Sequence, residues 1–278
     1  MYTYVIVDVF TDTPLEGNPL AVFTDARDLP AARMQPIARE MNLSETVFVL
    51  PADDGADARI RIFTPATELP FAGHPTLGTA LVLGERTGKD QIVLATGAGV
   101  INVQIERANG RIASGRMGQP IPTWQPYDRA DELLAALGVS SSRLPVEAYR
   151  NGPRHVFVVL DSPRAVAALA PDMTALAKLP EVGVSCFAGS GTQWKTRMFA
   201  PAYGVAEDPA TGSAAGPLAV HLARHGRIAF GQQIEIQQGA EIGRPSTLHA
   251  RVEGSGDRID KVEVAGSAVV VASGELRV

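Results

Sequence analysis

Few side chains in this sequence are of a type and in a setting that suit chemistry. Glu45 stands in "SETVFV", just ahead of an apolar run. His74 stands in "LPFAGHPTLGTA" (Leu69–Ala80), and Asp208 and Ser213 stand in "EDPATGSAAGPLA" (Glu207–Ala219). A carboxylate in front of a buried strand reads either as a cap or ion-pair partner, or as an acid/base. Burial would raise its pKa towards neutrality, as proton transfer at carbon requires. Asp208, in its loop, reads equally as a turn residue or as an acceptor for a substrate amine or hydroxyl.

Other stretches look chemical and fail on spacing. "HLARH" sets His221 and His225 one helical turn apart but lacks the glutamate of a zinc-protease motif. One solvent-facing and one partly packed histidine are expected there. "GSGTQWKT" places Trp194 where a phosphate loop needs its second glycine. A hydrolase triad of His74, Asp208 and Ser213 would lack the Gly-x-Ser-x-Gly elbow. Ser213 is expected to be a helix N-cap with its oxygen engaged. "TGAGVINV" has too few glycines for a dinucleotide.

The elements that must position these groups are written twice. "GNPLAVFTDARDLP" (from Gly17) resembles "GPRHVFVVLDSPRA" (from Gly152), "RIFTP" at Arg61 recurs as "RMFAP" at Arg197, and Gly73 recurs as Gly212. The offsets are 135, 136 and 139 residues, in the same order along the chain, which indicates an internal repeat. Each copy reads strand, turn, strand, helix, strand, strand, loop, helix, then further strands. Met34, Ile37, Ala38 and Met41 follow helical spacing, with Pro36 expected in the first turn of that helix. "GQPIPTWQPYDRAD" reads as a linker. The expected fold is α+β: two pseudo-symmetric domains, residues 1–120 and 121–278, each a β-sheet rolled around a central α-helix. The final strand is free to cross back to the first domain, and the active site is expected in the cleft between the two.

The central helices are the stretches after "AGH" and "ATG". Pro75 suits a first helical position, because that N–H has no intrahelical partner. "TLGTALVLG" carries no charge on any face and should be buried all round. Small residues such as Gly78, Ala80, Ala214 and Gly216 let strands approach closely. A buried helix leaves its first N–H groups unpaired at an end of positive partial charge. Two such ends aimed into one cleft would hold a carboxylate without any Arg or Lys; two plain, well-capped core helices are the alternative. Matching Phe48 to Phe187 sets Glu45 opposite Val184, so the acid belongs to one copy only.

Composition narrows the classes. With 45% hydrophobic and 20% charged residues among 278, the chain reads as a soluble globular protein. A net charge of -5 without a basic run argues against a nucleic-acid surface. No apolar stretch approaches the roughly 20 residues of a membrane span. "MYTYVIVDVF" contains Asp8 and reads as a first strand, not a signal peptide. The single Cys186 can form neither an internal disulfide nor a cysteine-rich metal site, and the cytoplasm is the expected compartment.

"GNP", "SET", "AGHPT" and "EDPATGSA" together resemble the PhzF-like phenazine-biosynthesis isomerase family, over essentially the whole chain. The resemblance implies a diaminopimelate epimerase-like fold and a homodimeric enzyme without cofactor or metal. It implies that Glu45 moves a proton between carbons of a small, unsaturated, carboxylated and amino-bearing substrate; in the family's founding activity that substrate is a dihydro-hydroxyanthranilate. His74, Asp208 and Ser213 would hold and polarise it, and Gly73 and Gly212 would offer backbone N–H groups. Two-base racemases of the fold place a thiol just before each anion-binding loop. Here Ala72 and Ala210 stand there and Cys186 sits mid-strand, which excludes a thiol pair. A single base that takes and returns the proton favours a double-bond shift or tautomerisation over stereoinversion. The alternative is a non-catalytic small-molecule binder on the same scaffold.

Overall fold

Runs of β-branched and aromatic residues become strands, and the few stretches of helical period become helices. The computed structural model describes residues 1–52 and 55–278. They divide into two units, residues 1–118 with 263–278, and residues 119–262. The first unit opens with β1 (Tyr2–Val9), β2 (Asn18–Phe23), α1 (Ala31–Met41), β3 (Glu45–Leu50) and β4 (Ala58–Phe63). It continues with β5 (Glu68–Leu69), α2 (Gly73–Thr87), β6 (Gln91–Thr96), β7 (Gly99–Ala108) and β8 (Arg111–Gly118). The second opens with β9 (Thr123–Pro126), α3 (Ala130–Leu137), β10 (Glu147–Arg150), β11 (Arg154–Val159), α4 (Pro163–Ala167) and α5 (Met173–Leu176). Then come β12 (Gly183–Ser190), β13 (Gln193–Ala200), β14 (Val205–Asp208), α6 (Gly212–Arg224), β15 (Gln233–Gln238) and β16 (Ser246–Ser255). The chain returns to the first unit within β17 (Arg258–Gly266) and ends in β18 (Ala268–Leu276).

In the first unit β2 pairs antiparallel with β1 and parallel with β3, β3 pairs antiparallel with β4, and β4 pairs parallel with β6. β18 pairs with β1. In the second unit β11 pairs parallel with β12, β12 antiparallel with β13, and β13 parallel with β15. The register sets Leu20 beside Glu45 in one unit and His155 beside Gly183 in the other.

Helix α2 packs against β1, β2, β3, β6, β7, β8 and β18, and every residue from Gly73 to Val82 is buried. Gly78 permits this: a Cβ there would lie 2.6 Å from Val9 Cγ2 and 2.9 Å from Leu20 Cδ2. Phe23, Phe48 and Phe63 form an aromatic run, with centroids 5.0 and 5.6 Å apart, under Met34, Ile37 and Ala38 of α1. Helix α6, buried from Gly212 to Ala223, packs against β11 and β16. At Gly216 a Cβ would stand 2.6 Å from Val262 Cγ1 and intrude on the Gln119 amide. Cys186 is fully buried, and burial pushes its thiol pKa up, as expected of a core residue.

Three expectations need correction. Pro36 lies in the middle of α1; the carbonyl it leaves unpaired, that of Ala32, belongs to an exposed turn where water can take it. Pro75 is the third residue of α2, not the first. The stretch read as a linker contains β9, the buried Gln119 and the start of α3, whose Leu133, Ala136 and Leu137 enter the second unit's core. Among the described residues, no helix is long and apolar enough to cross a membrane.

Candidate functional site

Helix α2 starts without a capping side chain, because its N-cap residue is Ala72. The Ala72 carbonyl accepts from both the amide (3.3 Å) and the hydroxyl (2.7 Å) of Thr76. Pro75 brings no N–H, so the amides of Gly73 and His74 carry the positive end of the helix. The side chain of His74 is buried between two partners. Its Nδ1 lies 3.2 Å from Asn18 Nδ2 at the start of β2, and its Nε2 lies 3.3 Å from Glu45 Oε2 at the start of β3. The Asn18 amide donates, so Nδ1 accepts and the ring proton sits on Nε2, facing the Glu45 carboxylate. That approach is a close contact, not an aligned hydrogen bond. Burial holds the His74 pKa down at about 3. An ionised Glu45 would pull the other way, but burial dominates and the imidazole is neutral. His74 therefore offers an oriented N–H, not a charge.

In the second unit the N-cap of α6 is Thr211, not Ser213, and its side chain makes no capping bond. The Thr211 hydroxyl instead donates to Asp208 Oδ2 at 2.5 Å and accepts from Gln238 Nε2 at 2.9 Å. Gln238 Nε2 also donates to the Asp208 carbonyl at 2.8 Å. The hydroxyl that would have covered the helix end is thus spent on positioning Asp208. Ser213 is the second residue of α6, and its Oγ lies 3.1 Å from Nε2 of the buried His155.

Pro217 lacks the N–H that would bond the Ser213 carbonyl four residues back. Asn151 Nδ2 takes that place at 3.0 Å, and Gln119 Nε2 donates to the Gly212 carbonyl at 2.7 Å.

A further cluster involves the two histidines of "HLARH". His221 is fully buried rather than solvent-facing or half-packed, and both rings meet Glu147, at 3.2 Å (His221 Nδ1) and 3.0 Å (His225 Nε2). Their donor atoms lie close enough to hold a metal ion. However, the Arg224 guanidinium already contacts the same carboxylate oxygen at 3.0 Å and stacks over Trp124. Burial alone would raise the pKa of Glu147; hydrogen bonds from His221 and His225, the charge of Arg224 and the Tyr149 hydroxyl outweigh it and hold the group well below the usual carboxylate range. The cluster has the character of a buried ion-pair network, with its cation supplied by the protein.

Glu45, Gly73 and His74 therefore come together in the first unit, and Asp208, Gly212 and Ser213 in the second. Sequence reasoning gave no role to the residues that orient them: Asn18 and Thr211, though both lie in quoted motifs, and His155, Asn151, Gln119 and Gln238. One signal was legible, a polar His155 inside the apolar run "HVFVVL".

The sequence profile of the family described as "Phenazine biosynthesis-like protein" matches residues 7–274. The chain is 58% identical over 274 residues to the trans-2,3-dihydro-3-hydroxyanthranilate isomerase of Pseudomonas aeruginosa, covering 99% of each chain. Its fold is similar to that of a PhzF-family phenazine biosynthesis protein from Bacillus anthracis, with a TM-score of 0.86, 27% identity, and coverage of 100% of this chain and 99% of that one. A hydroxyproline epimerase from Agrobacterium vitis shares the fold at a TM-score of 0.69 and 13% identity, covering 99% of this chain and 90% of that one.

Proposed function

The chain belongs to the phenazine biosynthesis-like (PhzF) family and is an isomerase, and on that premise we propose that it shifts a proton within trans-2,3-dihydro-3-hydroxyanthranilate or a close analogue, without cofactor or metal. In a molecule of that constitution, the C–H at the hydroxyl-bearing carbon is conjugated through the remaining ring double bonds with the carboxylate. Glu45 removes that proton, and the C–H electrons move into the π system towards the carboxylate. The same proton returns at the carboxylate-bearing carbon, so the double bonds shift and the composition is unchanged. Each half-site has its part in this scheme. His74 orients Glu45, Asp208 takes the amine or hydroxyl, and Ser213 with the Gly73 and Gly212 amides holds the oxygens on which charge develops. The reading includes a cytoplasmic homodimer. Both features rest on the family resemblance and on a composition with a single cysteine.

The observation that carries the proposal is the 3.3 Å approach of Glu45 to a buried neutral histidine whose ring proton faces it. A base so held has a fixed direction and a neutral neighbour, and can give back the proton it takes. The test is Glu45→Gln, with turnover followed by absorbance and binding followed by calorimetry with 3-hydroxyanthranilate, the aromatic analogue. The expected result is retained binding and a loss of kcat on the order of 10²-fold or more. Wild-type-like turnover in Glu45→Gln would remove the glutamate from the mechanism.

A further inference from the structure

Ser213 has one hydroxyl proton, and what it can do for a ligand depends on where that proton points. The answer lies on His155, at the start of β11, which no family motif in this sequence contains. The His155 side chain is buried, and its Nε2 is the hydrogen-bonding partner of Ser213 Oγ at 3.1 Å. Its other nitrogen, Nδ1, lies against Gly183 of the neighbouring parallel strand β12 and has no hydrogen-bond partner among the described residues.

Two neutral tautomers are available to the ring. With the proton on Nδ1, a strong donor would be buried with nothing to receive it. With the proton on Nε2, the donor meets the Ser213 oxygen and only an acceptor lone pair is left bare, the less costly of the two arrangements. The second tautomer forces Ser213 Oγ to accept from His155, so the serine's own proton must be directed away from the ring.

We propose that His155 is a positioning residue that sets Ser213 as a hydrogen-bond donor towards a ligand oxygen, not as an acceptor for a ligand amine. The inference deepens the site reading given under Proposed function and rests on Ser213 being part of the substrate site. Burial, which holds the His155 pKa down at about 3, keeps the ring neutral across the working range and the arrangement intact. Gln119 and Asn151 engage the carbonyls of Gly212 and Ser213, which fixes the backbone that carries the hydroxyl.

Nitrogen-15 NMR of histidine-labelled wild-type protein near neutral pH tests the first step. The His155 resonances are assigned by their absence in His155→Gln. Protonated Nε2 with bare Nδ1 is expected, and a proton on Nδ1 overturns the proposal. The second step is a binding cycle with 3-hydroxyanthranilate and its carboxamide. His155→Leu and Ser213→Ala should each weaken binding of the carboxylate about tenfold and of the carboxamide less. The double variant should be no weaker than Ser213→Ala alone, and His155→Gln, which can still donate, should recover most of the loss. Additive losses, or equal losses for both ligands, overturn the proposal by showing a purely structural role. If His155→Leu fails to fold, the wild-type spectrum still decides. Absent turnover in the wild type would count against the proton-shift reading and leave these measurements to judge His155.

Discussion

At the start of α2 a histidine on the helix meets an amide from a strand, whereas at the start of α6 a hydroxyl on the helix meets a histidine from a strand. The backbone plan is common to both: glycine first, the functional side chain second, and no side-chain cap. In each case the partner comes from the beginning of the strand that pairs in parallel with the next, β2 with β3 and β11 with β12. The chemistry is reversed. In the first unit the strand partner aims a histidine N–H at a carboxylate. In the second, the histidine is the partner and the aimed group is a hydroxyl. Under the proposed function, one helix start orients an acid/base and the other binds a ligand. A shared scaffold specialises by exchanging which member of a hydrogen-bonded pair carries the ring.

The contrast can be broken at several points. The largest effect is expected from His74→Leu, which removes the group orienting Glu45. It should lower kcat by about 10²-fold while leaving affinity for 3-hydroxyanthranilate within about threefold. A change confined to KM would show that the first helix start binds rather than orients.

Next in size is Asn151→Leu, which leaves the Ser213 carbonyl without a donor. A loss of about 2 kcal/mol in denaturant unfolding is expected. The loss should shrink in a Pro217→Ala background, where a helical N–H is restored opposite that carbonyl. Equal losses in both backgrounds would detach Asn151 from the proline.

The smallest effect, taken per pH unit, is on pH dependence. The folded-state pKa of His155 is about 3, against 6.5 in an unfolded chain. Below 6.5 the unfolded chain takes up a proton that the fold refuses, so the contribution of this residue to stability falls as pH drops from 6.5 towards 3. His155→Leu should flatten the acid limb by about 1 kcal/mol per pH unit. An unchanged slope would place that proton uptake elsewhere.

Local pattern was enough to locate α1, α2, α6 and most strands, because alternation and helical spacing are properties of neighbouring residues. It also singled out the residues at both helix starts, since glycine and small polar residues before an uncharged apolar run mark an electropositive helix end. It failed where a residue's duty is set by something distant. Ser213 looks like an N-cap in its own segment, yet Thr211 occupies that position and Ser213 turns to His155. Thr211 in turn does not cap, because Asp208 and Gln238 take its hydroxyl. His221 looks half-exposed from helical spacing alone, and becomes fully buried because Glu147 and Tyr149 of β10 cover it.

By itself the sequence determined most of the elements, the glycines that open the two central helices and the presence of Glu45 in one copy alone, since each is legible from short stretches of neighbouring residues. The tertiary structure alone decided which partner each polar side chain at the helix starts meets. Asn18 reaches His74 from 56 residues away, His155 reaches Ser213 from 58, and Gln119 reaches Gly212 from 93. A buried polar group must find its partner wherever strand register delivers one, and register is a property of the assembled sheet, not of any segment within it.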